Sequence, residues 1–193
     1  KYTAAGVYTN TNFYVGSQAG DSVGIEWDGT FFWVLDSNGV AYKYNSAGTY
    51  QNANMTFEGG LSSPGGLTWD GTYFYVTSFS LKKVFKYTSA GVAVTNYDIS
   101  AQATSAYGIA WDGTFFWVSE ILTDRLYKYN SSFVYQNESV DVSPYDNTPI
   151  GLGYDGTYLV MLGYTSDKVW QFGIANGIAS ATNIGGQNYV RVA

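Results

Sequence analysis

Gly108-Ile-Ala-Trp-Asp-Gly-Thr-Phe-Phe-Trp-Val118 occurs four times in this chain with small changes. It returns as Gly24-Ile-Glu-Trp-Asp-Gly-Thr-Phe-Phe-Trp-Val34, as Gly66-Leu-Thr-Trp-Asp-Gly-Thr-Tyr-Phe-Tyr-Val76 and, most altered, as Gly151-Leu-Gly-Tyr-Asp-Gly-Thr-Tyr-Leu-Val-Met161. The starts are 42, 42 and 43 residues apart. A fixed period of about 40–45 residues marks stacked supersecondary units and matches the length of a four-stranded propeller blade.

Within residues 24–65 each strand can be assigned. Gly24 to Trp27 alternates and reads as a short inner strand. Asp28-Gly29 reads as a two-residue type I′ hairpin, because glycine takes positive φ without a side-chain clash. Phe31 to Leu35 is apolar on both faces, which fits a strand buried between neighbouring blades. Val40 to Tyr44 alternates again, Ser46-Ala47-Gly48 turns the chain, and Tyr50 to Phe57 carries Asn52 and Asn54 on a wet outer strand. This fall in hydrophobicity from second to fourth strand is that of a radial blade. A linear solenoid would bury equivalent positions in every strand.

The expected fold is therefore an all-β propeller of four blades of about 42 residues. It forms a single domain over 1–193, divided into a half repeat at 1–23 and repeats at 24–65, 66–107, 108–150 and 151–193. In the half repeat, Gly6-Val-Tyr8-Thr-Asn10 aligns with Gly48-Thr-Tyr50-Gln-Asn52. Residues 7–15 are expected to pair with the sheet containing Val169–Phe172, closing the ring by an N-terminal strand. The alternative is strand exchange with a second subunit, a self-association through residues 7–15.

The repeat string, followed by Lys-[Val/Leu]-[Phe/Tyr]-Lys-Tyr, resembles the NHL/YncE-like propeller repeats of secreted bacterial proteins and phage tail or fibre proteins. The resemblance covers the chain and weakens after Phe172. It implies binding or scaffolding, since the motif carries no catalytic residue. It also implies six or seven blades, so four copies leave oligomerisation or truncation open.

Composition narrows the function classes. Charged residues make up only 12% of the chain and aromatics 19%, about half the usual charged share. That balance points to an extracellular, secreted or virion-surface protein. The net charge of −6 and only two arginines, Arg125 and Arg191, leave no basic stripe for nucleic acid. No apolar run reaches the length that inserts into a membrane. With no Cys and no His, disulfides, thiolate chemistry and the commonest general base are excluded. The start at Lys1 reads as a processed or excised product.

By chain direction, the variable loops gather at one end of the ring. Function concentrates on loops held by a rigid scaffold, so Asp36, Glu120, Asp124, Tyr145, Tyr164 and Asp167 are the candidate ligand-binding residues. The expected partner is a glycan or protein at a cell or virion surface, bound without catalysis. A fibre or appendage subunit assembled by strand exchange is one alternative, and a propeller lyase or hydrolase working with carboxylates is another. No cofactor is expected. Calcium held by Asp36, Glu120 and loop carbonyls is chemically possible, although no spacing supports a metal site. Asn54, Asn130 and Asn137 lie in glycosylation sequons, which matter only in a secretory host. The repeated Asp28, Asp70, Asp112 and Asp155 read as turn residues, and Trp33 and Trp117 as core.

Overall fold

The computed structural model describes residue 10, residues 12–173 and the backbone of residues 181–183 and 189–190. These residues form antiparallel sheets without a helix. Blade 1 holds β1 (Ser22–Trp27), β2 (Phe32–Asp36), β3 (Val40–Tyr44) and β4 (Tyr50–Thr56). Blade 2 holds β5 (Pro64–Trp69), β6 (Phe74–Ser78), β7 (Lys83–Tyr87) and β8 (Ala93–Asp98). Blade 3 holds β9 (Ala106–Trp111), β10 (Phe116–Glu120), β11 (Arg125–Tyr129) and β12 (Tyr135–Asp141). Blade 4 holds β13 (Pro149–Tyr154), β14 (Tyr158–Gly163), β15 (Lys168–Gly173) and β16 (Ala181–Asn183), with a short β17 (Tyr189–Val190) beyond it. The inner strands pack in succession, β1 on β5, β5 on β9 and β9 on β13, so the four sheets are four blades of a propeller.

Alternation along each second strand builds the core. Trp33 and Leu35 join Leu67, Phe74 and Val76 between blades 1 and 2. Tyr75 joins Ile109, Phe116 and Val118 between blades 2 and 3. Trp117 and Ala110 join Leu159 and Met161 between blades 3 and 4. Each large side chain so buried is stabilised by about 1.5–3 kcal/mol. Trp27, Trp69 and Trp111 occupy the equivalent positions expected of them and lie 4.5–4.6 Å from Phe32, Phe74 and Phe116, ring centre to ring centre.

Two sequence expectations need correction. The Asp-Gly hairpin is a four-residue loop, because Trp27 pairs with Phe32 and leaves residues 28–31 between them. Asp28 Oδ1 accepts the Thr30 and Phe31 amides at 2.8 and 2.7 Å, Oδ2 accepts Trp33 Nε1 at 2.7 Å, and Gly29 has φ +96°. The carboxylate thus closes the turn and orients the core indole, and the positive φ still demands glycine. Asp112 repeats this with Thr114, Phe115 and Trp117.

The second correction concerns the edge of blade 4. β15 pairs with β16, matching Trp170 to Asn183, Gln171 to Thr182 and Phe172 to Ala181. Ladder bonds use backbone groups, so the loss of aromatics in the last segment does not prevent it from supplying the fourth strand. Phe13 and Val15 instead pack on blade 1 beside Val34 and Tyr44. Residues 7–9 and 11 of the expected closing strand lie outside the described residues.

Candidate functional site

Asp36 and Glu120 stand at the same repeat position, the last residue of a second strand, and both are buried. Asp36 accepts the Asp21 and Asn38 amides at 3.1 and 3.0 Å. Glu120 Oε1 accepts the Ser105 amide at 2.9 Å, and Oε2 accepts the Leu122 and Thr123 amides at 3.1 and 2.6 Å and the Thr123 hydroxyl at 2.6 Å. These carboxylates satisfy loop N–H groups that would otherwise be buried without partners. In blade 2 the position is Ser78, whose hydroxyl accepts the Leu81 amide at 3.4 Å and donates to the Ser62 carbonyl. In blade 4 the position is Gly163, and Asp146 fills the place from the opposite loop. A Cβ on Gly163 would fall 2.4 Å from Asp146 Oδ2, which accepts the Ser166 amide at 2.6 Å.

The other loop candidates are dispersed. Asp124 has φ +53° and its carbonyl accepts the Val142 amide at 2.8 Å. Burial holds its carboxyl above the usual range, helped by the charges of Asp141, Glu120 and Asp146. Asp167 repeats the left-handed conformation in blade 4, with φ +52°. Tyr145 is packed between the Trp170 and Phe172 rings, at 5.2 and 5.5 Å, and burial raises its hydroxyl pKa. Tyr164 is exposed. Among the described residues no three carboxylates gather closely enough to hold a metal ion. Of the sequons, Asn54 and Asn137 are exposed, while Asn130 Oδ1 accepts the Ser132 and Val134 amides at 3.0 Å each.

A different place has the geometry of a site. A cleft of about 610 Å³ opens at the centre, where Gly24, Ile25 and Leu67 face Leu152, Val160 and Leu162. One residue beyond Ile25 stands Glu26, the only carboxylic side chain on the four inner strands. Its side chain leaves the strand on the face opposite Ile25 and is not part of the cleft lining. It is half-buried against blade 2 and hydrogen-bonds the Thr68 hydroxyl, which in turn accepts the Trp111 amide at 3.2 Å. Burial pushes the Glu26 carboxyl up to about 8; its bonds to the Trp27 backbone and Thr68 pull the other way, and the Asp28 charge adds to the rise. Such a carboxyl is mostly neutral at pH 7 and can both give and take a proton near it. The sequence held a signal for it. Within the constant motif this position reads Glu26, Thr68, Ala110 and Gly153, so only the first copy carries an ionisable group.

No protein-family model matches the chain, and no curated protein sequence does. Solved structures do resemble it. A catalytically inactive His-to-Ala form of virginiamycin B lyase from Staphylococcus aureus, solved with quinupristin, is 19% identical with a TM-score of 0.57 over 85% of this chain and 56% of that one. Selenomethionine-substituted virginiamycin B lyase from the same organism gives 18% and 0.58, over 86% and 56%. A streptogramin B lyase gives 16% and 0.56, over 86% and 55%. The likeness is one of fold, and this chain spans just over half the length of these neighbours.

The comparison corrects the expectation of a non-catalytic surface propeller binding glycan or protein. The propellers named above are lyases, so the repeat by itself does not argue against chemistry. A histidine matters to activity in one neighbour, whereas this chain has none. Any reaction in these residues must therefore use other groups.

Proposed function

We propose that these four blades are part of a lyase-type propeller that binds an apolar substrate in the central cleft and moves a proton through Glu26. The observation that supports this most is a half-buried carboxyl with a pKa of about 8 on the inner strand whose Ile25 lines the apolar cleft. A lyase breaks its bond by elimination. A base takes a proton from carbon, the leaving group departs with the bonding pair, and a double bond remains. One carboxylate can do both proton steps: the ionised Glu26 takes the proton and then returns it to the leaving group, with no net consumption. Its raised pKa makes the ionised form a stronger base than an ordinary glutamate. The finer kinship to NHL/YncE-like repeats belongs to this proposal and rests on the motif alone.

The test is turnover of quinupristin, the ligand present with one structural neighbour, followed by chromatography and mass spectrometry. Conversion by the intact chain that rises with pH through about 8 and is lost in Glu26→Gln is the expected result. Conversion that survives Glu26→Gln, or no conversion by the intact chain at any pH where it is folded, overturns the reading.

A further inference from the structure

Every blade has a forward face, which meets the next blade, and a backward face, which meets the one before. Inside the chain these faces meet three times. On the forward side, Leu35 of blade 1 is fully buried, and so are Thr77 and Ser119 in the next two blades. The equivalent residue of blade 4, Leu162, is 43% exposed. On the backward side, Leu67 and Ile109 are 2% and 0% exposed, while their blade 1 equivalent, Ile25, is 57% exposed and Trp27 beside it is also open.

The inner-strand glycines trace the same break. A Cβ on Gly24 would lie 3.3 Å from the Leu67 amide nitrogen, on Gly66 2.9 Å from that of Ile109, and on Gly108 2.7 Å from that of Leu152. Only glycine permits approach this close. At Gly151 the near atoms belong to Leu162 of the same blade, and at Gly153 nothing lies within 4 Å. The two ends of the blade series thus carry the two unmatched halves of one interface.

The entry into blade 1 has the matching form. The Gln18 and Ala19 amides donate to the Val15 carbonyl, as Gln102 and Ala103 donate to Ile99, and Tyr145 and Asp146 to Val142. In blades 3 and 4 those turns follow the fourth strand of the blade before. Asn10 also shares its positive φ with Asn52 and Asn137, the bulge residues of fourth strands. The chain therefore enters blade 1 in the way it enters a blade that has a predecessor.

We propose that the forward face of blade 4 docks on the backward face of blade 1 in a second copy of this chain. The contact repeats head to tail, so that two chains complete one ring. A second copy is the occupant because both halves of the missing interface, apolar and in repeat-equivalent positions, belong to this same chain. Two such contacts, blade 4 of each chain on blade 1 of the other, are related by a two-fold axis, so the closed dimer is isologous as a whole. The contact covers Ile25 and Leu162, which also line the cleft of the reaction proposed above, but it is read by mass and not by turnover, so the two readings fail separately.

The experiment is light scattering after size exclusion, over a concentration series, on the intact chain and on Ile25→Asp and Leu162→Asp. A dimer is expected for the intact chain, and monomers for each variant alone. Mixing the two variants should restore a dimer, because blade 4 of the first and blade 1 of the second are both unaltered. An intact chain that stays monomeric overturns the proposal, as does a mixture that fails to associate. Dimers that survive either substitution overturn it too. An assembly heavier than a dimer overturns the two-chain closure. Both positions are exposed, and circular dichroism checks folding. If either aspartate variant unfolds, Ile25→Ser and Leu162→Ser carry the same mixing test.

Discussion

Glu26 makes the stability of this protein fall as pH rises through a range where most proteins are indifferent. Its carboxyl sits near 4.5 in the unfolded chain and about 8 when folded. Below the lower value both states are protonated and the group costs nothing. Between the two, the unfolded chain ionises while the folded protein holds its proton, so folding is penalised progressively. At about 1.36 kcal/mol per pH unit, the penalty is about 3 kcal/mol at pH 7 and at most about 5 kcal/mol above pH 8. Neither His nor Cys titrates in this window, since the chain has none, and Asp124, also raised by burial, adds a loss of the same sign to the intact chain and the variant alike. The carboxylates held low by hydrogen bonds, Asp98, Asp141 and Asp146, have the opposite sign and act only in the acid range. The assay is urea unfolding followed by tryptophan fluorescence at half-unit steps from pH 5 to 9, on the intact chain and on Glu26→Gln. The intact chain should lose stability steadily up to about pH 8 and then level off. The variant, which keeps a partner for Thr68 without a charge, should have a much shallower slope and be more stable by roughly 2–4 kcal/mol at pH 8. A flat profile in the intact chain, or an unchanged slope in the variant, would refute the burial argument.

Two further outcomes test the core. Asp112→Ala removes the acceptor of a buried indole and two turn amides, so it should cost about 2–4 kcal/mol. Asp155→Ala, whose second oxygen meets only the exposed Gln171 amide at 3.2 Å, should cost about 1 kcal/mol less or lower still; equal midpoints in urea would count against the indole bond. Tyr129 has a buried hydroxyl without a partner, whereas Tyr44 in blade 1 reaches Gln18 Oε1 at 3.2 Å and the Val15 carbonyl at 3.4 Å. Tyr129→Phe should therefore be neutral or stabilising, and Tyr44→Phe should cost about 0.5–1.5 kcal/mol; calorimetry showing the reverse order would refute that assignment.

The period of 42 residues, the alternation within each copy and the Asp-Gly pair carried the architecture. Each is a local property, and strand, turn and buried face follow from it whichever blade is considered. Trp117 could be placed in the core because its strand is apolar on both sides, and the turn role of Asp112 followed from its neighbours. Asp36 and Glu120 could not be resolved in this way. They look like free loop carboxylates until the link from the preceding blade brings amides such as those of Asp21 and Ser105 onto their oxygens. Glu26 was visible as the odd member of a four-residue series, yet its proton affinity comes from blade 2 closing over it, against the opposing pull of the Thr68 hydrogen bond. The same motif residue is buried as Leu67 and open as Ile25, because burial depends on whether another blade stands opposite. A repeat written four times specifies four similar blades. Which faces meet, and which stay open, is decided only by the order of those blades around the centre.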